Sequence, residues 1–150
     1  MKSILRIMII AIIAGLSLFG CSGNRPEGLE IVDGRLPPCP NRPNCVSSQS
    51  DDPAHRIPPI PYAGERGQAM DRLEAVIRGM PRTAIVRRDE ESLQVEFKTR
   101  VMGFVDDALF YFDDAEKTIH VRSASRIGYS DLGVNRKRIE EIRKRLLNPQ

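Results

Sequence analysis

The chain has 150 residues, 41% apolar and 29% charged, which allows one domain plus something at an end and argues against wholesale disorder. Its formal charge of +3 comes from 23 Lys and Arg against 20 Asp and Glu, and Lys2 and Arg6 precede the one long apolar run. With that run removed, 21 cations face 20 anions, a net charge of +1. Charge therefore predicts no nucleic-acid partner, and a single apolar stretch excludes a polytopic membrane protein.

Residues 1–20 read MKSILRIMIIAIIAGLSLFG. Lys2 and Arg6 form a short positive region, and Ile7 to Phe19 is an uncharged run of 13 residues. A bilayer core of about 30 Å takes about 20 apolar residues as helix, so the run is short for a span. It fits the apolar region of a signal peptide, about 7–15 residues long. Leu18-Phe19-Gly20-Cys21 follows and resembles a bacterial lipobox, although Phe19 is bulky for its place. The small Gly20 suits a peptidase pocket, and the Cys21 thiol can accept a diacylglyceryl group. Residues 1–20 are therefore expected to be a lipoprotein signal peptide, with Cys21 as the lipidated N-terminus, palmitate among its acyl chains. Ser22 after it favours outer-membrane sorting, facing the periplasm. The expected location is the bacterial cell envelope.

Nine of the eleven prolines fall within residues 22–65. Each fixes φ and removes a donor, which excludes a long helix or a central strand there. Residues 21–35 read as an irregular lipid-anchored tether, and 36–150 as a single domain. Residues 36–62 read as an extended lead-in lying on that domain. Ala69, Met70, Leu73, Val76, Ile77 and Met80 recur at helical spacing over 66–80, and Gly79 and Pro81 end the helix. The period then becomes two. Strands are expected over 83–87, 93–99, 104–113 and 118–125, with turns at 89–92 and 113–117. In the second of these, Leu93, Val95 and Phe97 alternate with Gln94, Glu96 and Lys98, which implies one covered and one wet sheet face. Ile139, Ile142 and Leu146 line a closing helix over 135–147. The expected fold is α+β: a four-stranded antiparallel meander in the order αββββα, both helices on one face, preceded by the proline-rich lead-in.

Cys39 and Cys45 are the pair left once Cys21 is acylated, and an exported chain meets an oxidising compartment, so a disulfide is expected. Zinc would need His55, His120 or a carboxylate at a spacing the sequence does not offer. No metal site and no cofactor are expected.

Between the last strand and the last helix, His120 to Arg138 gathers four arginines, four Ser and Tyr hydroxyls, Asp131 and Asn135. Cys39-Pro40, Asn44 to Ser48, Asp106-Asp107, Arg122-Ser123-Ala124-Ser125-Arg126, Gly128, Ser130 to Gly133, Asn135-Arg136 and Arg138 resemble the domain-of-unknown-function 1499 family over roughly residues 36–147. That resemblance implies an exported or membrane-attached protein and no known activity. Physically, Arg122, Arg126 and Arg136, with Ser123, Ser125 and Asn135, could form an anion site at a helix N-terminus. The competing reading pairs Arg122 and Arg126 with Asp106 and Asp107, while Ser130, Asp131 and Asn135 shape the turn. Adjacent strand residues point to opposite faces, so Asp106 and Asp107 cannot act together. Arg143, Lys144 and Arg145 read as a solvated helix face. Two functions remain open. The first, a non-enzymatic envelope lipoprotein binding an anionic ligand or an envelope protein, is preferred. The second is an envelope hydrolase using His120, Asp131 and Ser123 or Ser125.

Overall fold

Beyond Pro81 the two-residue period becomes sheet, and the helical repeats on either side of it cover one sheet face. The computed structural model describes residues 23–26 and 28–148. Residues 1–20 and Cys21, on which the signal-peptide and lipidation readings rest, lie outside them. The strands are β1 (Cys45–Ser47), β2 (Ile60–Pro61), β3 (Thr83–Arg88), β4 (Ser92–Lys98), β5 (Val105–Asp113) and β6 (Thr118–Ser125); the helices are α1 (Arg66–Arg78) and α2 (Val134–Leu147). The fold is α+β, and β3 to β6 pair antiparallel in sequence.

The sheet has six strands rather than the expected four. β1 and β2, both from the proline-rich lead-in, pair with the free edge of β6. Cys45 lies opposite Ala124 and Ser47 opposite Arg122, while Ile60 lies opposite Ile119. Prolines exclude a central strand but leave two- and three-residue stretches able to hydrogen-bond along an edge, and Pro61 needs no outward donor there.

Helices α1 and α2 bury Leu73, Ile77, Ile139 and Ile142 against Phe110 and Phe112 of β5. Burying each such side chain is worth about 1.5–3 kcal/mol relative to leaving it in water. α1 stops at Gly79, whose N–H donates to the Ala75 carbonyl; the Met80 N–H donates to the Ile77 carbonyl, and the Thr83 hydroxyl donates to the Ile77 and Met80 carbonyls.

The second face is not the wet face that alternation implied. Asp107, Leu109 and Arg122 point to it and are buried. The described chain from residue 23 runs along this side. Arg25 bonds Glu96, Gly34 packs on the Tyr111 ring, and the Gln49 amide bridges Gly34 O and Leu36 N–H. Gly34 holds φ at +72°, and a Cβ there would lie 3.2 Å from Tyr111 Oη, so only glycine fits without displacement.

Cys39 and Cys45 form the expected disulfide, tying the Pro37-Pro38 segment to β1. Among the described residues, no helix is long and apolar enough to cross a membrane. Closing so short a loop removes about 2 kcal/mol of unfolded-chain entropy. Urea unfolding of Cys39→Ser is therefore expected to show a loss of that size, and reductant should lower wild-type stability to match; equal stabilities with and without reductant would contradict this.

Candidate functional site

The junction between β6 and α2 concentrates the polar chemistry, and the sheet divides it into two halves. In β5, Asp106 and Asp107 are 2% and 1% exposed and point to opposite faces. A buried carboxylate needs a cation or several donors, or it costs several kcal/mol.

On the outer face Asp107 lies directly across from Glu96 of β4, a like-charge pair that would destabilise the sheet if uncompensated. Arg126 compensates both. Its Nε and Nη2 each lie 2.8 Å from an oxygen of Asp107, and Nη2 also bonds Glu96. Arg25 adds a second donor to Glu96. The Asp107 hydrogen bonds lead in raising the Arg126 pKa further above its ordinary value. Partial burial pushes the Glu96 carboxyl up, but the bonds from Arg25 and Arg126 outweigh it and hold the group below the usual carboxylate range.

On the helix face Arg138 of α2 meets Asp106 at 2.7 Å, donates to Asn135 Oδ1, and stacks its guanidinium over the Phe97 ring. Asn135 is fully buried. Its amide donates to Ser125 Oγ, Asp131 and the Asn44 carbonyl, and its Oδ1 also accepts from Ser123. Asp131 accepts the backbone N–H of Gly133 and of Asn135, which satisfies two donors at the start of α2. Ser130 Oγ accepts the Leu132 N–H.

The residues expected to hold an anion therefore do not converge on one open site. Ser125 and Asn135 bond each other on the helix face, and Arg126 is spent on carboxylates on the outer face. Arg136 donates to the Arg56 and Ala54 carbonyls. Arg122 was expected to pair with Asp106 or Asp107 and does not. Its Nη2 reaches only the Pro38 carbonyl at 3.4 Å, and its Nε has no partner among the described residues. Burial lowers its pKa, opposed in part by the nearby charge of Asp107.

The hydrolase arrangement is not formed either. His120 and Ser123 are three residues apart on one strand and face opposite sides, as do His120 and Ser125. His120 Nδ1 instead meets Ser48 Oγ at 3.2 Å, its ring stacks on Tyr111, and Asp131 is committed to α2. His55 Nδ1 meets the Cys45 carbonyl. The residues that could hold a metal are Asp113, Glu116 and His120, whose donor atoms lie within 4.8 Å of one another. Asp113 already accepts the Ala115 and Glu116 N–H groups and Glu116 is exposed, so the hairpin turn accounts for the grouping.

Sequence reasoning missed the Arg138–Asp106 and Arg25–Glu96 pairs. The signal for the first was present: Asn135 and Arg138 share a helix face three residues apart. A model of the family described as a protein of unknown function, DUF1499, matches residues 35–146. The chain belongs to the DUF1499 family. That match covers both halves of the junction and the disulfide. No curated protein matches the chain.

Two substitutions separate the roles of this DUF1499 junction. Arg126→Ala leaves Asp107 and Glu96 facing each other and should cost about 3–5 kcal/mol. Arg122→Met removes a buried cation that has no hydrogen-bonded carboxylate and should leave stability within about 1 kcal/mol or raise it. Denaturant unfolding of both variants checks this; equal losses would refute the assignment.

Glu96 also sets a pH dependence. Its folded pKa lies below the unfolded value of about 4.3, so its stabilisation is complete above that pH and disappears as pH falls through the folded pKa. Glu74, held down first by Arg78, and Asp114, held down first by Lys117, titrate in the same direction at the surface. Below about pH 4 the stability of Glu96→Gln should therefore fall less steeply than that of the wild type; parallel acid limbs would contradict the role.

Proposed function

We propose that this chain is a bacterial cell-envelope lipoprotein, anchored through an acylated Cys21, whose domain is a non-enzymatic binding or structural module. The single observation that carries the non-enzymatic part is the commitment of the junction's side chains. Ser123, Ser125, Asp131, Asn135, Arg126 and Arg138 are bound to one another and to Asp106, Asp107 and Glu96. A nucleophile needs a base within hydrogen-bond reach, and neither Ser123 nor Ser125 has His120 there. The anchor reading rests on Leu18-Phe19-Gly20-Cys21 behind an apolar run of 13 residues. Ser22 supports placement in the outer membrane, with the domain in the periplasm.

The partner of such a module is the membrane, through the acyl chains, together with an anionic ligand or an envelope protein. For an anion, Arg122 is the group with most to gain. It is a desolvated guanidinium whose present acceptor is one long bond to a carbonyl.

Expression of the full chain in a bacterial host tests the anchor. Wild type is expected in the membrane fraction, with a mature mass beginning at acylated Cys21, and Cys21→Ser should lose the acyl mass and leave that fraction. Retention of residues 1–20 on an unacylated wild-type chain would refute the reading.

A further inference from the structure

The apolar side chains that the fold leaves in water are concentrated in one place. Seven large hydrophobic residues are exposed among those described, and five of them are Val101, Met102, Tyr129, Leu132 and Val134. Val101 and Met102 form the tip between β4 and β5, whereas Tyr129, Leu132 and Val134 belong to the β6–α2 loop and the first turn of α2.

The pairing brings these two segments to the same end of the sheet. β5 begins where β6 ends, with Asp106 opposite Ser125 and the Arg126 N–H on the Val105 carbonyl at 3.1 Å. Asn44 fixes the second loop by donating to the Gly128 carbonyl. Val101 is 88% exposed and Leu132 85%, and neither tip packs into the core. Leu132 is also held at a φ of +54°, a conformation that favours glycine or asparagine over leucine. The internal packing gives no reason for a leucine there.

The start of the described chain lies at this same end. Gly23 packs so closely on the β6–α2 loop that a Cβ would stand 3.0 Å from Ile127 Cγ2 and 3.1 Å from Arg126 Cβ. Arg25, two residues on, is held by Glu96 beside Arg126. Cys21 is two residues before Gly23, and two extended residues reach about 7 Å. Acyl chains on Cys21 would therefore enter a bilayer at the end of the domain that carries the β6–α2 loop. Lys98 and Arg100, both exposed, flank the first tip with positive charge. Apolar and aromatic side chains beside cations suit the interface of an anionic membrane.

We propose that the Val101-Met102 tip and the Tyr129–Val134 loop form a membrane-docking end. They insert into the headgroup layer beside the Cys21 anchor and hold the domain against an anionic lipid surface. The inference rests on the lipoprotein reading and adds an orientation to it. The domain stands with its sheet end on the membrane, and the β5–β6 hairpin at 113–117 faces away.

The chain contains no tryptophan, so one introduced indole reports one position. Val101→Trp, Tyr129→Trp and Ala115→Trp would each be made in the full chain and purified from membranes. Each would be reconstituted into vesicles of phosphatidylethanolamine and phosphatidylglycerol with brominated acyl chains. Val101→Trp and Tyr129→Trp are expected to shift to the blue and lose fluorescence to the bromines, while Ala115→Trp at the far hairpin is unaffected. Acylated protein that floats with the vesicles but shows three unquenched indoles would overturn the docking end and leave the anchor standing. Protein without acyl mass that does not float would overturn both. A blue shift of the same two indoles in detergent, rising with protein concentration, would assign the tips to a second copy of the chain and overturn the lipid assignment.

Discussion

Two adjacent carboxylates in the middle of a sheet set the terms for the rest of this structure. Asp106 and Asp107 stand on β5, which has neighbours on both sides, so neither can be turned to water by fraying an edge. Their alternation sends one charge to each face, and each face must supply its own cation. Arg126 does so just after β6 and Arg138 on the second turn of α2. The loop between these arginines has to pass from the outer face to the helix face. Asp131, Ser125 and Asn135 hold that passage in a closed set of hydrogen bonds. What looks from its composition like a binding motif is the joint that fastens a helix to a sheet.

A second constraint comes from the prolines. A proline-rich segment keeps its carbonyls but loses N–H groups, so it cannot satisfy itself by forming a regular ladder. Arginine side chains from the folded body supply donors. Arg143 donates to the Pro58 and Pro59 carbonyls, Arg136 to those of Ala54 and Arg56, and Arg122 weakly to that of Pro38. The basic face of α2, which reads as solvated, is in part a clamp on the lead-in. Arg122 is the least well served of these donors, which makes it the point of the molecule where an added acceptor would change most.

Much of the fold was legible because it is local. The repeat from Ala69 to Met80 and the alternation from Leu93 to Phe97 each carry their own period, and both gave the right element within two residues. The opposite facing of Asp106 and Asp107 followed from strand geometry alone. β1 and β2 were hidden for the converse reason. Three residues from Cys45 and two from Ile60 have no period, and their partners on β6 lie far along the chain. The covering of the outer face was equally non-local, although Leu109 on that side was a hint that water does not reach it. The arginine assignments were half right, since Arg126 took Asp107 while Arg122 took no acid. Choosing among several arginines for two acids needs the register, which sequence spacing does not supply.

With its reactive-looking side chains committed to the joint, the domain offers its surroundings a shape and a set of surfaces. In the proposed lipoprotein, an acylated Cys21 would stand two residues before Gly23, which packs on the β6–α2 loop. The central claim beneath this reading is that the Asp107–Arg126 pair holds the joint together through mutual charge. A double-mutant cycle on Asp107→Asn and Arg126→Met, read by urea unfolding, measures it most directly. The account predicts a coupling on the order of 2–3 kcal/mol, with the double variant losing clearly less than the two single losses together. Losses that simply add would contradict it.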